Sequence, residues 1–170
     1  MKIIFSNPKK TNSDYFKPLI KSFQNTLNSG NYINSTNVTD FEKKFSKFLG
    51  VKYCIGVANA TDAIYLSLKL LEVGIGDEVI TPSHTAAGTV VAILNTGAKP
   101  IFADIDLDSF NINIDEIEKK SSKKTKAVIA VHLYGQSTNM DKLKIISKKK
   151  KIHIIEDCSQ SAGAKYKNKF

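Results

Sequence analysis

Three stretches of the sequence hold residue types that could do chemistry. Ile152, His153, Ile154 and Ile155 form a short, largely apolar run that breaks into Glu156, Asp157, Cys158, Ser159 and Gln160. Such a run reads as a buried parallel strand, and open α/β sheets meet their ligands just beyond the carboxyl ends of the strands. Asp157 and Gln160 therefore stand where a ligand would be met, with simple capping by Asp157 an equal alternative. In the second stretch, Gly56 to Ala63, a strand-like run passes through small and polar residues straight into a helix. The free N–H groups of that helix start, with the Thr61 hydroxyl, would make a phosphate site; Thr61 as an ordinary N-cap fits as well. Neither the spaced-glycine dinucleotide fingerprint nor a P-loop is present. In the third, Gly74 to Thr85, His84 falls just past a strand end, where an imidazole could stack on a flat ring or move protons. His132, in Val131 to Gln136, is similarly placed, with structural duty favoured. The three histidines show no metal-ligand spacing, and no nucleophile–base pair stands out. A phosphate cradle, a ring partner and a carboxylate together suit pyridoxal phosphate, whose pyridine nitrogen needs an acid partner for the ring to act as an electron sink.

The elements that would position these residues alternate. Ser13 and Asp14 offer a helix start, Phe16, Leu19, Ile20, Phe23 and Leu27 recur at helical spacing, and Gly30 supplies a stop. Thr39 to Glu42 matches a capping box, with Phe41, Phe45, Phe48 and Leu49 as the apolar face behind it. Strands are then expected at Tyr53–Val57, Glu78–Thr81, Ile101–Ile105, Ala127–Leu133 and Ile152–Ile155. Helices are expected at Ala63–Leu71, Thr89–Leu94, Asp115–Lys120 and Met140–Lys149. Repeated strand–helix units predict an α/β fold, a mainly parallel sheet covered by helices on both faces.

Composition narrows the function classes. The chain has 170 residues, 42% of them apolar and 24% charged, enough for a full core. Its formal charge is +9, yet it contains no arginine, and its lysines are spread from Lys2 to Lys169. Arginine makes the commonest bidentate contact to guanine, so a solvated basic surface is expected and no nucleic-acid partner. Cys54 and Cys158 lie in or beside strand-like runs and read as buried free thiols. The opening MKIIFSNPKK lacks the apolar core of a signal peptide, and no apolar run approaches the ~20 residues of a membrane helix. A cytoplasmic protein without a membrane partner is expected.

At these residues the chain resembles the sugar aminotransferases of the DegT/DnrJ/StrS family, within the fold type I pyridoxal phosphate enzymes. The resemblance runs from about Ser29 to Lys167. It is carried by Phe41 to Phe45 with Leu49 to Tyr53, Ala60 to Ala63, Gly76 to Ser83, Phe102 to Asp106, Val131 to Gln136 and Glu156 to Ala164. It implies the large domain of an aspartate aminotransferase-like fold, with residues 1–38 as an arm and 39–170 as an incomplete cofactor-binding domain. It implies transfer of an amino group from an amino acid, typically glutamate, to a nucleotide-linked keto-sugar, usually in a homodimer with the site between subunits. Thr61 and Asp62 would hold the phosphate, Asp157 the pyridine nitrogen and Gln160 the phenolic oxygen.

Two departures accompany the resemblance. Ala86 stands where the family commonly carries an aromatic over the ring, so His84 is the candidate for stacking there. The family's Schiff-base lysine and small domain lie beyond the matching segment, so this chain alone is expected to be inactive. A sugar dehydratase of the same fold, or a non-catalytic remnant that binds phosphate-bearing ligands, is the alternative. A Rossmann-type nucleotide binder is disfavoured by the missing glycines.

Overall fold

The computed structural model describes residues 6–170, and the chain divides into two compact units, Met1–Gly56 and Val57–Phe170. Residues 1–5, which carry part of the leader reading, lie outside the described residues.

The first unit is helical. Helix α1 (Pro8–Thr11) is capped by Asn7, whose side chain accepts from the Lys10 N–H at 3.1 Å. After a single 3-10 turn, Ser13–Tyr15, helix α2 (Phe16–Ser29) carries the expected apolar spacing and ends at Gly30 with φ 64°. Helix α3 (Thr36–Leu49) ends likewise at Gly50, the left-handed stop that glycine adopts without strain. The expected capping box does not form. Val38 extends the stripe of Phe41 and Phe45 toward the N-terminus, nothing before Thr39 interrupts the helix, and the chain coils from Thr36. Glu42 is thereby released from capping, and its carboxylate accepts from the Gly56 N–H at 2.7 Å. Nor does the expected strand Tyr53–Val57 form. A strand needs a ladder partner, none exists for it among the described residues, and Ile55 is 78% exposed.

In the second unit, helix α4 (Ala60–Leu70) leads to strand β1 (Glu78–Pro82), helix α5 (Ala87–Asn95) and strand β2 (Lys99–Ala103). Helix α6 (Ile114–Lys120), strand β3 (Thr125–Val131), helix α7 (Met140–Lys150) and strand β4 (His153–Asp157) follow. The strands form one parallel sheet in the order β2-β1-β3-β4. Strand β2 lies two residues ahead of the expected Ile101–Ile105. Lys99 donates its N–H to the Asp77 carbonyl at 2.9 Å, and Asp104 Oδ1 takes the Ile105 N–H at 2.8 Å, turning the chain out of the ladder. Pro100, which has no N–H to give, is accommodated because β2 is the outermost strand of the described sheet.

Both faces are covered. Ile64, Leu68, Ala92 and Ile93 of α4 and α5 pack on Val79, Ala127, Ile129 and Val131. On the opposite face, Ile114, Ile117, Leu143 and Ile146 of α6 and α7 pack on Ile80, Ala103, Val128 and Ala130. That double cover is why the strands read as continuous apolar runs rather than alternating ones. Both thiols are free, but only Cys54 is even half-buried. Cys158 is exposed, because it follows β4 where the chain leaves the sheet. Among the described residues no cluster of histidine, cysteine and carboxylates could hold a metal, and no helix is long and apolar enough to cross a membrane.

Candidate active site

The register of β3 with β4 assigns the carboxylates at the end of the sheet to opposite faces. Asp157 pairs with Val131, and Glu156 with Ala130. Successive strand side chains alternate, and Val131 belongs to the core under α4 and α5, Ala130 to the core under α6 and α7. Asp157 therefore shares a face with the start of α4, and Glu156 lies behind the sheet. The result is a cavity of about 170 Å³ whose rim includes Thr61, Thr85, Gly88, Asp157 and Gln160, over Ile64, Val131 and Leu133. It is smaller than the ~300–1,000 Å³ of a pocket that encloses a drug-sized ligand, so a ligand of that size would extend outside it.

Asn59, not Thr61, caps α4: its Oδ1 accepts the Asp62 N–H at 2.9 Å and its Nδ2 donates to the Asp62 carboxylate at 2.9 Å. The Thr61 hydroxyl is thus spared capping, and the N–H groups of Ala60 and Thr61 have no acceptor within the helix. A Cβ on Gly88 would stand 2.5 Å from Thr61 Oγ1, so the missing side chain is what lets α5 approach α4 here. Beside it, Thr85 and Thr89 share a hydroxyl hydrogen bond of 2.9 Å.

At the other end, Asp157 Oδ1 accepts from the Ser159 N–H at 3.1 Å and from the Ser159 hydroxyl at 2.6 Å. No described residue occupies Oδ2. Gln160 Oε1 accepts the Tyr134 N–H at 3.0 Å, which fixes the amide with its NH2 free to donate. Tyr134 is itself left-handed (φ 56°, ψ 23°), followed by Gly135 at φ 82°. The structure thus gathers Thr61, Asp157 and Gln160 around one cavity. Asp62 is engaged with its own cap, and exposed His84 bonds the Tyr134 hydroxyl through Nε2 at 3.1 Å; neither lines the cavity.

His132 is buried and structural. Its backbone N–H donates to the Asp157 carbonyl at 3.0 Å, its Nε2 meets Glu156 at 3.0 Å, and its Nδ1 accepts the Thr138 N–H at 3.1 Å. Burial opposes an imidazolium here. Hydrogen bonds and charges at Cys158 and Glu156 favour one strongly enough to carry the ring to about 9, were Nδ1 free to take the proton. It is not: an Nδ1 that accepts Thr138 carries no hydrogen, and the geometry is that of a neutral ring donating Nε2–H to Glu156.

Two further residues escaped the sequence reading. Asn111, 2% exposed, accepts the Leu133 N–H through Oδ1 and donates to the Gln136 carbonyl through Nδ2, both at 3.0 Å. Tyr134 contributes a backbone amide. A polar residue beside the apolar Phe110 and Ile112 is the one sequence signal for Asn111; nothing in residue type could reveal a main-chain donor.

A donor-rich helix start facing a carboxylate and an amide across a small apolar floor can seat a flat heteroaromatic ring with an anionic tail. Comparison with known proteins bears on that arrangement. The profile of the DegT/DnrJ/EryC1/StrS aminotransferase family matches residues 16–170. The chain is 42% identical over 167 residues to a dTDP-3-amino-3,6-dideoxy-alpha-D-galactopyranose transaminase of Aneurinibacillus thermoaerophilus, covering 98% of this chain and 46% of that protein. Among solved structures it superposes on S. venezuelae DesV in complex with a ketimine intermediate with a TM-score of 0.94 at 31% identity, covering 99% of this chain and 45% of that one. Bacillus subtilis NtdA with bound cofactor PMP gives a TM-score of 0.85 at 33% identity, over 88% of this chain and 34% of that one. The chain thus spans less than half the length of each.

Proposed function

This chain belongs to the DegT/DnrJ/EryC1/StrS aminotransferase family, and on that premise we propose that it binds pyridoxal phosphate and serves amino transfer from an amino acid, glutamate the expected donor, to a nucleotide-linked keto-sugar. The observation that carries the reading is the convergence on one cavity of Thr61, from the start of α4, with Asp157 and Gln160, from the end of β4 and the turn after it. When bound, the cofactor supplies an electron sink. The Ala60 and Thr61 amides and the Thr61 hydroxyl hold its phosphate, at the positive end of the α4 dipole. Asp62 completes Asn59's cap and so keeps that helix start formed. Asp157 Oδ2 keeps a proton at the pyridine nitrogen, and the Gln160 amide donates to the phenolic oxygen. Exposed His84, held by the Tyr134 hydroxyl, stands outside the cavity and would be the residue to cover the ring.

Pyridoxamine phosphate, which needs no lysine to retain it, tests the cofactor reading by fluorescence titration. Saturable binding is expected, with the pyridine 15N resonance of labelled ligand at its protonated position. Asp157→Asn is expected to weaken binding by at least tenfold, a charged hydrogen bond being at stake, and to shift that resonance to the unprotonated position. Unchanged affinity and an unchanged resonance in Asp157→Asn would defeat the assignment. Mass spectrometry of a nucleotide-linked keto-sugar incubated with the loaded protein tests the activity: an unchanged sugar is expected of this chain alone, an amino sugar would show that it transfers unaided, and a dehydrated sugar would point to the dehydratase.

A further inference from the structure

We propose that Asn111 and His132, neither of which touches the cavity, are positioning residues that shape the Leu133–Gly135 turn so that it delivers Gln160 and Asp157 to the ligand. The inference rests on the cofactor reading above. Asn111 comes from the segment after β2, yet its whole side chain is spent on that turn. It accepts the N–H of Leu133 at one end and donates to the carbonyl of Gln136 at the other, each at 3.0 Å. A buried amide whose donor and acceptor bracket one loop acts as a template for it. Between the bracketed ends Tyr134 is left-handed at φ 56°, a conformation a bulky L-residue does not choose by itself. The turn is therefore imposed from below, and its product is the Tyr134 N–H aimed at Gln160 Oε1 at 3.0 Å.

His132 does the corresponding work at the strand end. Its N–H continues the β3–β4 ladder to the Asp157 carbonyl at 3.0 Å. Its ring, 3% exposed, ties the strand end to Thr138 on one side and to Glu156 on the other. The ring thereby sets where the last residues of β4 lie, and with them the Asp157 carboxylate on the opposite face. Because neither side chain lines the cavity, any effect of either on a ligand there must pass through the residues they hold.

A double-mutant cycle tests this, read by pyridoxamine phosphate titration and by hydrogen exchange of the Tyr134 amide in the ligand-free protein. Asn111→Ala and Gln160→Ala are each expected to weaken binding roughly five- to tenfold, the scale of one oriented hydrogen bond. The double variant should be little weaker than either single one, because both remove the same contact. The Tyr134 amide should exchange faster in Asn111→Ala. Losses that multiply in the double variant, or Tyr134 protection unchanged in Asn111→Ala, would overturn the role of Asn111. Should Asn111→Ala fail to fold, Asn111→Asp keeps the shape and the Leu133 acceptor but sets a carboxylate against the Gln136 carbonyl, and the same two outcomes decide. For His132, the alanine variant should move the pyridine 15N resonance part of the way seen in Asp157→Asn, and His132→Gln, which keeps a donor toward Glu156, should restore it. A resonance unmoved in His132→Ala would remove His132 from the proposal. Wild-type affinity in Gln160→Ala would instead defeat the reading of Gln160 as a cofactor contact, while the Tyr134 exchange rates still judge the Asn111 bracket.

Discussion

A carboxylate serves a heteroaromatic nitrogen only through an oxygen that is not already taken. At Asp157 both Ser159 donors fall on Oδ1, which both orients the group and leaves Oδ2 for a ligand. One residue earlier the chemistry is reversed, since Glu156 is turned to the far side and engaged with His132. That pair makes two pH predictions, one of no change in base and one of a loss in acid. A charged His132, its ring raised to about 9 from 6.5, would contribute stability in full below pH 6.5 and lose it as pH rises through 9. The Thr138 bond keeps the ring neutral, so the stability difference between wild type and His132→Gln, by urea unfolding, should stay flat from pH 6.5 to 9. A difference shrinking across that window would show a charged ring. The Glu156 carboxyl is held below its ordinary 4.5 chiefly by the His132 hydrogen bond, against the opposing effect of burial. Its contribution is present above pH 4.5 and is lost as pH falls through the lowered value, so the gap between wild type and Glu156→Gln should close in acid. A gap constant down to pH 3 would contradict the pairing.

At the scale of elements, the parallel connections depend on a few turns that tolerate little. Gly97, between α5 and β2, has φ +86°, and a Cβ there would stand 2.7 Å from Ile75 Cγ1. Gly97→Ala combines left-handed strain with a collision and should cost about 1–3 kcal/mol in urea unfolding; a loss below about 0.5 kcal/mol would mean the turn relaxes freely. Helix and strand identities were legible where hydrophobic spacing alone decides them: α2, α5 and α7 lie within a few residues of expectation, as do β1, β3 and β4. Where a tertiary partner decides, the reading failed. Tyr53–Val57 has the composition of a strand but no neighbour among the described residues, and Thr39–Glu42 has the letters of a capping box, but the helix begins a turn earlier because Val38 continues its apolar stripe.

For the molecule as a whole, the boundary between the compact units falls at Gly56 and Val57, beside an extended segment in which Tyr53 is 73% exposed. Limited chymotrypsin digestion should therefore cut after Tyr53 early and yield a persistent fragment beginning at Cys54; resistance at Tyr53 would show that segment to be protected. If the second unit houses the ligand, pyridoxamine phosphate at a hundred times its dissociation constant should stabilise the protein by about 2.7 kcal/mol.

The amino-acid order by itself determined the α/β class, the parallel sheet and the polar residues that follow β1, β3 and β4, because burial on two faces writes itself into continuous apolar runs and polar residues must follow where those runs stop. Only the tertiary structure decided which side of the sheet each of those polar residues occupies. Asp157 and Glu156 are neighbours of like charge, and a register shift of one residue would exchange them. The pairing of Val131 with Asp157 sends one to the cavity and the other to His132. Asn111 and the Tyr134 amide belong to the same category, since their effect lies in hydrogen bonds to backbone atoms distant in sequence, and those exist only once the chain has folded.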